Sequence, residues 1–305
     1  MGSPQDEASA EYSLGLDYAA RGELGKAQEA FERALRFQPD HIEAQYDLAR
    51  LQARRGAWHE AVAAFKRLLE LTPDFAQAHS ELGLALLALG RPAEAIEAFE
   101  AALQRKPDDP FAMTNLAVSL QERGEGRRAC DLFEQAIQIA PWMEEAYQGL
   151  TGILVAAGNL AKAEAVLVAG EKAVRDAAKR ARLQLSLGFL RAEQGYLDEA
   201  IHWFQTSLQT DPSSCDANVA LADALTEAQR YPEAIEALQA ALEREPRRAD
   251  VHARLGSVFE SLGRHAEALA AFKLAIAIDP ECLKTGRPDW SASYKRAMTF
   301  SEKSR

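Results

Sequence analysis

Apolar residues recur along the chain at the three- and four-residue spacing of amphipathic helices, and this pattern itself repeats about every 34 residues. Leucine marks each copy, at Leu14, Leu48, Leu82, Leu116, Leu150, Leu187, Leu221 and Leu255. Alanine follows thirteen residues later, and a large apolar residue comes four residues after that alanine, at Phe31, Phe65, Phe99, Phe133, Leu167, Phe204, Leu238 and Phe272. The sequence therefore predicts eight copies of one helical unit, with the same positions buried in each.

Glycine and proline divide each unit into two helices. Glycine stands between the predicted helices at positions 22, 56, 90, 124, 158, 195 and 263, where a helix end favours positive φ. Proline closes seven of the units, at positions 39, 73, 107, 141, 212, 246 and 280, because it cannot extend a helix. We place the repeats at 8–41, 42–75, 76–109, 110–143, 144–180, 181–214, 215–248 and 249–282, between an extension or tag remnant at 1–7 and a tail at 283–305.

The fifth unit, 144–180, is irregular. It is three residues longer than the others and lacks the closing proline, so we expect its second helix to continue through 163–183. The added stretch is basic, with Lys172, Arg175, Lys179 and Arg180, and cations are favoured near a helix C-terminus. A local contact with an anion or a partner is the alternative explanation of these charges. We also expect the irregular unit to divide the array into repeats 1–5 and 6–8.

The motif L-[GAT]-x(6)-G-x(4)-A-x(3)-[FL]-x(7)-P, present in these copies, resembles the tetratricopeptide repeat family over residues 8–282. The resemblance implies an all-α fold, a right-handed superhelical solenoid of stacked helix-turn-helix repeats whose inner wall is formed by the first helices. The aromatic residue usual early in the repeat is present as Tyr147 but is replaced at Glu11, Gln45 and Gln184.

A further helix is predicted over 289–303. Asp289 is a candidate N-cap, and Trp290, Tyr294 and Met298 are spaced by four residues on one face. We interpret this segment as a capping helix that covers the last repeat. A helix that binds a partner is the alternative.

In the tetratricopeptide repeat family, positions 2, 5, 6, 9, 12 and 13 of each repeat line the inner wall, and we call these the inner-wall positions. Carried onto this chain, they hold eleven acidic and four basic residues, a larger imbalance than the 46 against 35 of the whole sequence. The acids are Glu43, Asp47, Glu81, Glu122, Glu145, Glu193, Asp216, Asp223, Glu227, Asp250 and Glu260, and the bases are Arg50, Arg54, Arg182 and Arg254. An acidic wall favours a basic segment in the partner, and in repeats 7 and 8 only Arg254 opposes five acids.

Apolar residues occupy the inner-wall positions in the middle of the array, at Phe111, Val118, Val155, Leu185 and Phe189, beside the amide of Asn115. Two interpretations stay open. Exposed apolar side chains grouped in a groove indicate a docking site for a partner. Burial against neighbouring helices would make the same residues structural.

Composition narrows the class of function. A net charge of −11 argues against general nucleic-acid binding, which needs clustered Lys and Arg. No zinc-binding, P-loop or nucleophile-elbow motif occurs, so we expect neither a cofactor nor a metal. The segment GEGRRA at 124–129 follows a predicted helix, whereas a dinucleotide fingerprint follows a strand.

The chain has three scattered cysteines, no 18-residue apolar run and few apolar residues at its start. These features indicate a cytoplasmic location. A periplasmic location is the alternative if a leader was removed. The alanine- and arginine-rich composition is typical of bacterial proteins.

These observations predict a non-enzymatic scaffold or adaptor that binds a peptide or protein in its groove and supports the assembly of a complex. Two alternatives remain at this stage: a dedicated chaperone for secretion, pilus or envelope components, and the regulatory region of a larger enzyme. The sequence leaves the partner's identity and the oligomeric state open.

Overall fold

A computed structural model gives the structure of the protein and describes residues 3–285 and 288–303. These residues form eighteen helices and no strand. The predicted all-α class is therefore confirmed, and each repeat consists of two antiparallel helices joined by a tight turn. The chain forms two compact units, Met1–Ile153 and Leu154–Arg305.

The first unit holds the helices of repeats 1 to 4 and most of the first helix of repeat 5. Their bounds are α1 Pro4–Ala20, α2 Leu24–Phe37, α3 Ile42–Arg54, α4 Trp58–Leu71, α5 Ala76–Ala88, α6 Pro92–Arg105, α7 Pro110–Glu122, α8 Gly126–Ile139 and α9 Glu144–Ala156. The boundary between the units falls inside α9, so the division comes earlier than the predicted one between repeats 5 and 6.

The second unit holds the end of α9 and all later helices. Their bounds are α10 Leu160–Ala173, α11 Ala177–Glu193, α12 Leu197–Thr210, α13 Cys215–Glu227, α14 Tyr231–Arg244, α15 Ala249–Ser261, α16 His265–Ile278, α17 Cys282–Thr285 and α18 Pro288–Lys303. The predicted C-terminal helix is present and begins at Pro288. Asp289 therefore lies inside its first turn and does not precede the helix; the Asp289 side chain lies outside the described residues.

The repeated apolar positions form the cores of both units. The eight alanines at 27, 61, 95, 129, 163, 200, 234 and 268 are fully buried, and the large residues four positions later are at most 1% exposed. Of the repeated leucines, Leu14 is 37% exposed and the other seven are at most 8% exposed. Small residues allow the paired helices to approach closely: a Cβ added to Gly83 would lie 2.6 Å from the ring of Phe99.

The first helix begins earlier than predicted. Ser3 caps α1, because its hydroxyl accepts a hydrogen bond from the Asp6 amide at 3.2 Å while the Asp6 carboxylate accepts one from the Ser3 amide at 3.0 Å. This reciprocal pair is a capping box. Residues 4–7 thus belong to the first helix and are not a separate extension.

The prediction for repeat 5 is wrong about where the three extra residues go. The second helix, α10, keeps the usual fourteen residues and ends at Ala173. The next first helix, α11, has seventeen residues where α13 and α15 have thirteen, and the connection before it is one residue shorter. Repeat 6 therefore begins near residue 177, and its first helix carries an additional N-terminal turn.

Asp176 explains why α11 starts there. Its carboxylate accepts a hydrogen bond from the Lys179 amide at 2.9 Å, which satisfies a backbone donor at the helix N-terminus. Lys179 and Arg180 consequently lie in the first turn of α11. The helix dipole does not favour cations at this end, so the predicted explanation is wrong for Lys179 and Arg180, whereas Lys172 lies in the last turn of α10, as that explanation requires.

The turn glycines have the expected conformation. Gly22, Gly56, Gly90, Gly124, Gly158, Gly195 and Gly263 have φ between 70° and 83°. Repeat 7 has Gln229 at this position, with φ of 60°. A side chain in the left-handed region is strained, because its Cβ crowds the following carbonyl group.

Gln229→Gly is therefore expected to raise the free energy of unfolding by about 0.5–1 kcal/mol, after the extra flexibility of glycine in the unfolded chain is subtracted. Urea denaturation followed by circular dichroism measures the change. The reverse substitution Gly263→Gln serves as the control and should lower stability by a similar amount. A loss of stability in Gln229→Gly would contradict the strain argument.

Candidate functional site: the inner-wall positions of the first helices

The structure places every predicted site residue on a first helix with its side chain exposed or half-buried. The residues of the first unit are Glu43, Asp47, Arg50, Arg54, Glu81, Phe111, Asn115, Val118, Glu122 and Glu145; those of the second unit are Leu185, Phe189, Asp216, Asp223, Glu227, Asp250, Arg254 and Glu260. The second helices of each unit supply the fully buried phenylalanines. The predicted site residues are thus accessible to solvent in both units, whereas other inner-wall positions, such as Val219 and Ala253, are buried.

Repeats 1 and 2 join their inner-wall residues through polar contacts. The hydroxyl of Tyr12 donates a hydrogen bond to Asp47 at 2.8 Å, and Arg50 lies 3.5 Å from Asp47 and 3.8 Å from Glu81. Burial, together with the hydrogen bond to Asp47 and its charge, raises the pKa of Tyr12 to about 12. The phenol therefore stays neutral and keeps its role as a donor.

A shallow pocket of about 270 Å³ lies beside these contacts, between α1 and α3. Six of its lining residues occupy inner-wall positions, namely Leu16, Ala19, Ala20, Asp47, Arg50 and Arg54. The pocket combines apolar side chains from repeat 1 with charges from repeat 2. The pocket can bind a partner side chain that has an apolar stem and a polar group at its end.

Exposed aromatic residues mark repeat 4. Phe111 is 60% exposed and Trp142 is 51% exposed, and their ring centroids lie 5.9 Å apart. Val118, two turns along α7 from Phe111, is 39% exposed. Burial within their own unit therefore does not account for Phe111 and Val118.

Phe189 is an exposed aromatic residue on a first helix of the second unit. It is 53% exposed, and its ring packs edge-on against Phe204 with centroids 5.3 Å apart. Leu185, one turn earlier on α11, is half-buried against the core. Phe189 thus offers one face of its ring to solvent, while the other side rests on a buried phenylalanine.

The acids of repeats 7 and 8 have more cationic partners than the sequence indicated. Arg248, which caps α15, lies 2.7 Å from Asp216 and 3.0 Å from Asp250. Arg254 lies 3.1 Å from Asp223 and 2.8 Å from Asp250. Three arginines, including Arg296 of α18, therefore pair with four of the five acids that Arg254 alone was expected to face.

Hydrogen bonds from arginine lower the pKa of two of these carboxyl groups, Asp250 and Glu260. Burial opposes ionisation of Asp250, but the hydrogen bonds and charge of Arg248 and the charge of Arg254 outweigh it and lower the pKa. The hydrogen bonds from Arg296 hold the pKa of Glu260 below its ordinary value of 4.5. Exposed Glu227 has no ion pair with a described residue, so no neighbouring cation offsets this carboxylate.

Family models of the repeat match most of the chain. One tetratricopeptide repeat model matches residues 12–74, 46–110, 80–142 and 219–281, and a second matches residues 120–187. The chain belongs to the tetratricopeptide repeat family. Neither model covers residues 188–218, which follow the extended N-terminal part of α11.

Solved structures share the tetratricopeptide fold with this protein. The complex titled "APC/C hetero-tetramer Cut9-Hcn1" contains a chain similar at 18% identity and a TM-score of 0.58, over 93% of this chain and 54% of that one. The Pseudomonas aeruginosa pilF structure is similar at 19% identity and a TM-score of 0.58, over 73% and 96%. A MamA RS-1 double mutant is similar at 20% identity and a TM-score of 0.52, over 55% and 94%.

These similarities establish the fold, and this chain spans about half of the Cut9-Hcn1 chain that it matches. The comparison with curated proteins finds no match. Tetratricopeptide repeats form protein-interaction scaffolds, so the general class of the protein is an interaction module.

The described residues contain no group of three or more His, Cys, Asp and Glu that could hold a metal ion. Burial raises the pKa of the Cys215 and Cys282 thiols, which makes both poor nucleophiles at neutral pH. None of the helices over 3–285 and 288–303 is long and apolar enough to cross a bilayer.

Several inner-wall residues were missed in the sequence. Leu16 and Leu84, 42% and 41% exposed, stand at position 9 of repeats 1 and 3, and Tyr12 stands at position 5 of repeat 1, so the rule that selected Val118 also selects them. Trp142 and Arg248 lie in connections between repeats. No position of the repeat motif identifies those two, because only the folded connections bring them beside first helices.

Proposed function

We propose that this protein is a non-enzymatic scaffold that binds a peptide or protein partner along the inner-wall positions and supports the assembly of a complex. The observation that carries the proposal is the exposed aromatic pair Phe111 and Trp142. Aromatic side chains at the centre of an interface commonly supply much of the binding free energy, because they remove a large apolar area from water.

The surroundings of the pair support a docking site. Val118 on α7 and Leu84 on α5 add exposed apolar area at position 9 of neighbouring repeats. Glu122 is exposed and has no ion pair with a described residue. An apolar anchor flanked by an uncompensated acid suits a partner segment that carries an apolar residue next to a basic one.

Fewer acids are available to attract a basic partner than the sequence suggested. Arginines neutralise most acids of repeats 7 and 8, so a basic segment gains little there. Glu122 and Glu227 are the acids that we propose steer a basic partner, through long-range attraction that salt screens. The apolar anchor at Phe111 and Trp142 is proposed to supply most of the affinity.

The test compares two double variants that each truncate two exposed apolar side chains. Phe111→Ala/Trp142→Ala removes the proposed anchor, and Leu71→Ala/Ile139→Ala removes side chains that are 51% and 46% exposed on second helices. Affinity capture from the source organism with mass spectrometry identifies proteins held by the wild type. Interferometry then measures the dissociation constant of the leading protein for each variant.

The anchor variant is expected to bind at least about 30-fold more weakly, since hot-spot residues contribute about 2 kcal/mol or more. The control variant should bind within about twofold of the wild type, and both should keep the wild-type melting temperature. Glu122→Gln/Glu227→Gln should lower the association rate and flatten its salt dependence. Equal losses in both apolar variants, or none in the anchor variant, would refute the proposed surface.

A further inference from the structure

The C-terminal helix α18 does not continue the stacking of the regular repeats. In the second unit, the contact of a first helix with the preceding repeat is made mainly to the second helix of that repeat: α13 packs on α12 and α15 packs on α14. Helix α18 packs against both helices of repeat 8, α15 and α16, to a similar extent. It therefore lies further across the first helix α15 than a following repeat would.

One face of α18 makes this contact. Trp290, Ser293 and Ala297 are buried and Tyr294 is half-buried, which is the i, i+3, i+4, i+7 pattern of an amphipathic helix. The ring of Tyr294 meets Phe272 edge-on with centroids 5.9 Å apart. Met298, predicted on the same face, is 36% exposed and lies at its margin.

Helix α18 covers two of the predicted binding residues. The guanidinium group of Arg254 lies over the ring of Trp290 at 5.4 Å from the centroid. Arg296 donates hydrogen bonds to both oxygens of the Glu260 carboxylate, at 2.7 and 3.1 Å. The side chains of Arg254 and Glu260 are only 18% and 12% exposed, although both stand at inner-wall positions; α18 covers both, and Arg254 also pairs with Asp223 and Asp250.

The attachment of α18 is one-sided. The Arg296 side chain remains 52% exposed, so water competes for its charge and limits what the ion pair contributes, although Glu260 itself is largely covered. Trp290 supplies the deep apolar contact. A helix held through one face, by buried Trp290, the contact of Tyr294 with Phe272 and the Arg296–Glu260 pair, can be exchanged for a similar helix that makes the same contacts.

We propose that α18 is a displaceable, self-supplied ligand of repeat 8, and that the partner of this surface is an amphipathic helix with an aromatic residue followed six positions later by arginine. The proposal rests on the proposed function, because it assumes that inner-wall positions bind a partner. Only two residues separate α17, which ends at Thr285, from α18, which begins at Pro288. Such a short tether gives α18 a high effective concentration at the surface of repeat 8. Helix α18 therefore competes with a partner for this surface until a partner helix of higher affinity displaces it.

The test uses a fluorescein-labelled peptide with the sequence of residues 288–303 as the competing helix. It is titrated into the full-length wild type and into the full-length variant Trp290→Ala/Arg296→Ala, whose own α18 lacks both contacts. The peptide should bind the variant at least tenfold more tightly than the wild type, by fluorescence anisotropy. A peptide with alanine in place of Trp290 is the matched control and should not bind either protein.

A charge exchange locates the binding surface. Adding Glu260→Arg to the variant should weaken binding of the peptide at least fivefold. A peptide with glutamate in place of Arg296 should bind this triple variant with the affinity restored. If circular dichroism shows that the double variant is not folded, Arg296→Glu alone serves as the weakened chain, with a smaller expected gain. Equal affinity for wild type and variant, or no binding to the variant, would show that α18 is a permanent part of the fold.

Two other outcomes also decide against the proposal. A concentration-dependent dimer of the wild type, lost in the Trp290→Ala/Arg296→Ala variant, would make a second copy the natural occupant of the surface. Loss of peptide binding in the Phe111→Ala/Trp142→Ala background would mean that the peptide uses the first unit instead. Because the proposed function is tested at those first-unit residues, its failure is distinguishable from failure here.

Discussion

Phe99→Ala is expected to lower the free energy of unfolding by about 3–5 kcal/mol, the range found when a buried phenylalanine is truncated. Phe99 is fully buried in α6, and its ring fills the space above Gly83 on the facing helix α5. Removal of the ring leaves a cavity that two helices fixed by neighbouring repeats cannot close. Urea denaturation followed by circular dichroism, with hydrogen exchange for the local effect, measures the loss.

Phe111→Ala is the matched control, because it removes the same side chain from an exposed position in the same unit. It should change the free energy of unfolding by less than about 0.5 kcal/mol, as surface substitutions usually do. Hydrogen exchange should show the loss in Phe99→Ala concentrated in repeat 3 and its neighbours, since each repeat contacts only those next to it. A loss below 1 kcal/mol for Phe99→Ala would contradict the packing described for the repeats.

The second large effect concerns glycine at a helix crossing. Gly188→Ala is expected to destabilise the protein by about 1–3 kcal/mol, because a Cβ there would lie 2.3 Å from the ring of Phe204. Phe204 is 1% exposed and packs against Phe189, so the ring cannot simply move aside. The helices α11 and α12 must separate to accommodate the methyl group.

Gly152→Ala is the control, for which we expect a change in stability of the opposite sign. Gly152 also lies within a first helix, but the nearest atom to an added Cβ is 3.8 Å away, so alanine should stabilise the helix by about 0.5–1 kcal/mol. Combining Gly188→Ala with Phe204→Leu should cost less than the sum of the single changes, because the smaller side chain makes room for the methyl group. Strict additivity of the two changes would show that the contact does not limit the packing.

The repeat architecture could be predicted from the sequence because its determinants act over short distances. The spacing from Leu82 to Ala95 and Phe99 places all three on faces that pack within one pair of helices, and all three are buried. A glycine such as Gly90 ends the first helix through its own backbone conformation, with φ of 70°. These features recur in every repeat, so agreement between copies strengthens each assignment.

The location of the three extra residues was predicted wrongly because both neighbouring segments favour a helix. Residues 163–183 are rich in Ala, Lys, Arg and Leu, so helix propensity alone permits a continuous helix. A local signal was nevertheless present. Asp176 precedes Ala177 and can cap a helix, and the structure shows that the chain uses this cap to begin α11 one turn early.

The composition of the candidate site could be predicted only in part. The charged and apolar residues selected at inner-wall positions are accessible, since none of the predicted site residues is buried, although the same positions also hold buried residues such as Val219 and Ala253. Their partners could not be predicted, because Arg248 reaches Asp216 from 32 residues away and Arg296 reaches Glu260 from 36 residues away. Pairs at such separations depend on how successive helices are stacked and turned.

The sequence by itself determined the family, the number of repeats, the register of each helix pair and the face that each helix buries, because 34-residue periodicity, helix period and turn glycines are local properties. Only the tertiary structure decided which acids are neutralised, that Phe111 and Trp142 form one exposed pair, and that α18 lies over Arg254 and Glu260. Those outcomes depend on the angle and offset between packed helices, which are set by the side chains of several elements at once.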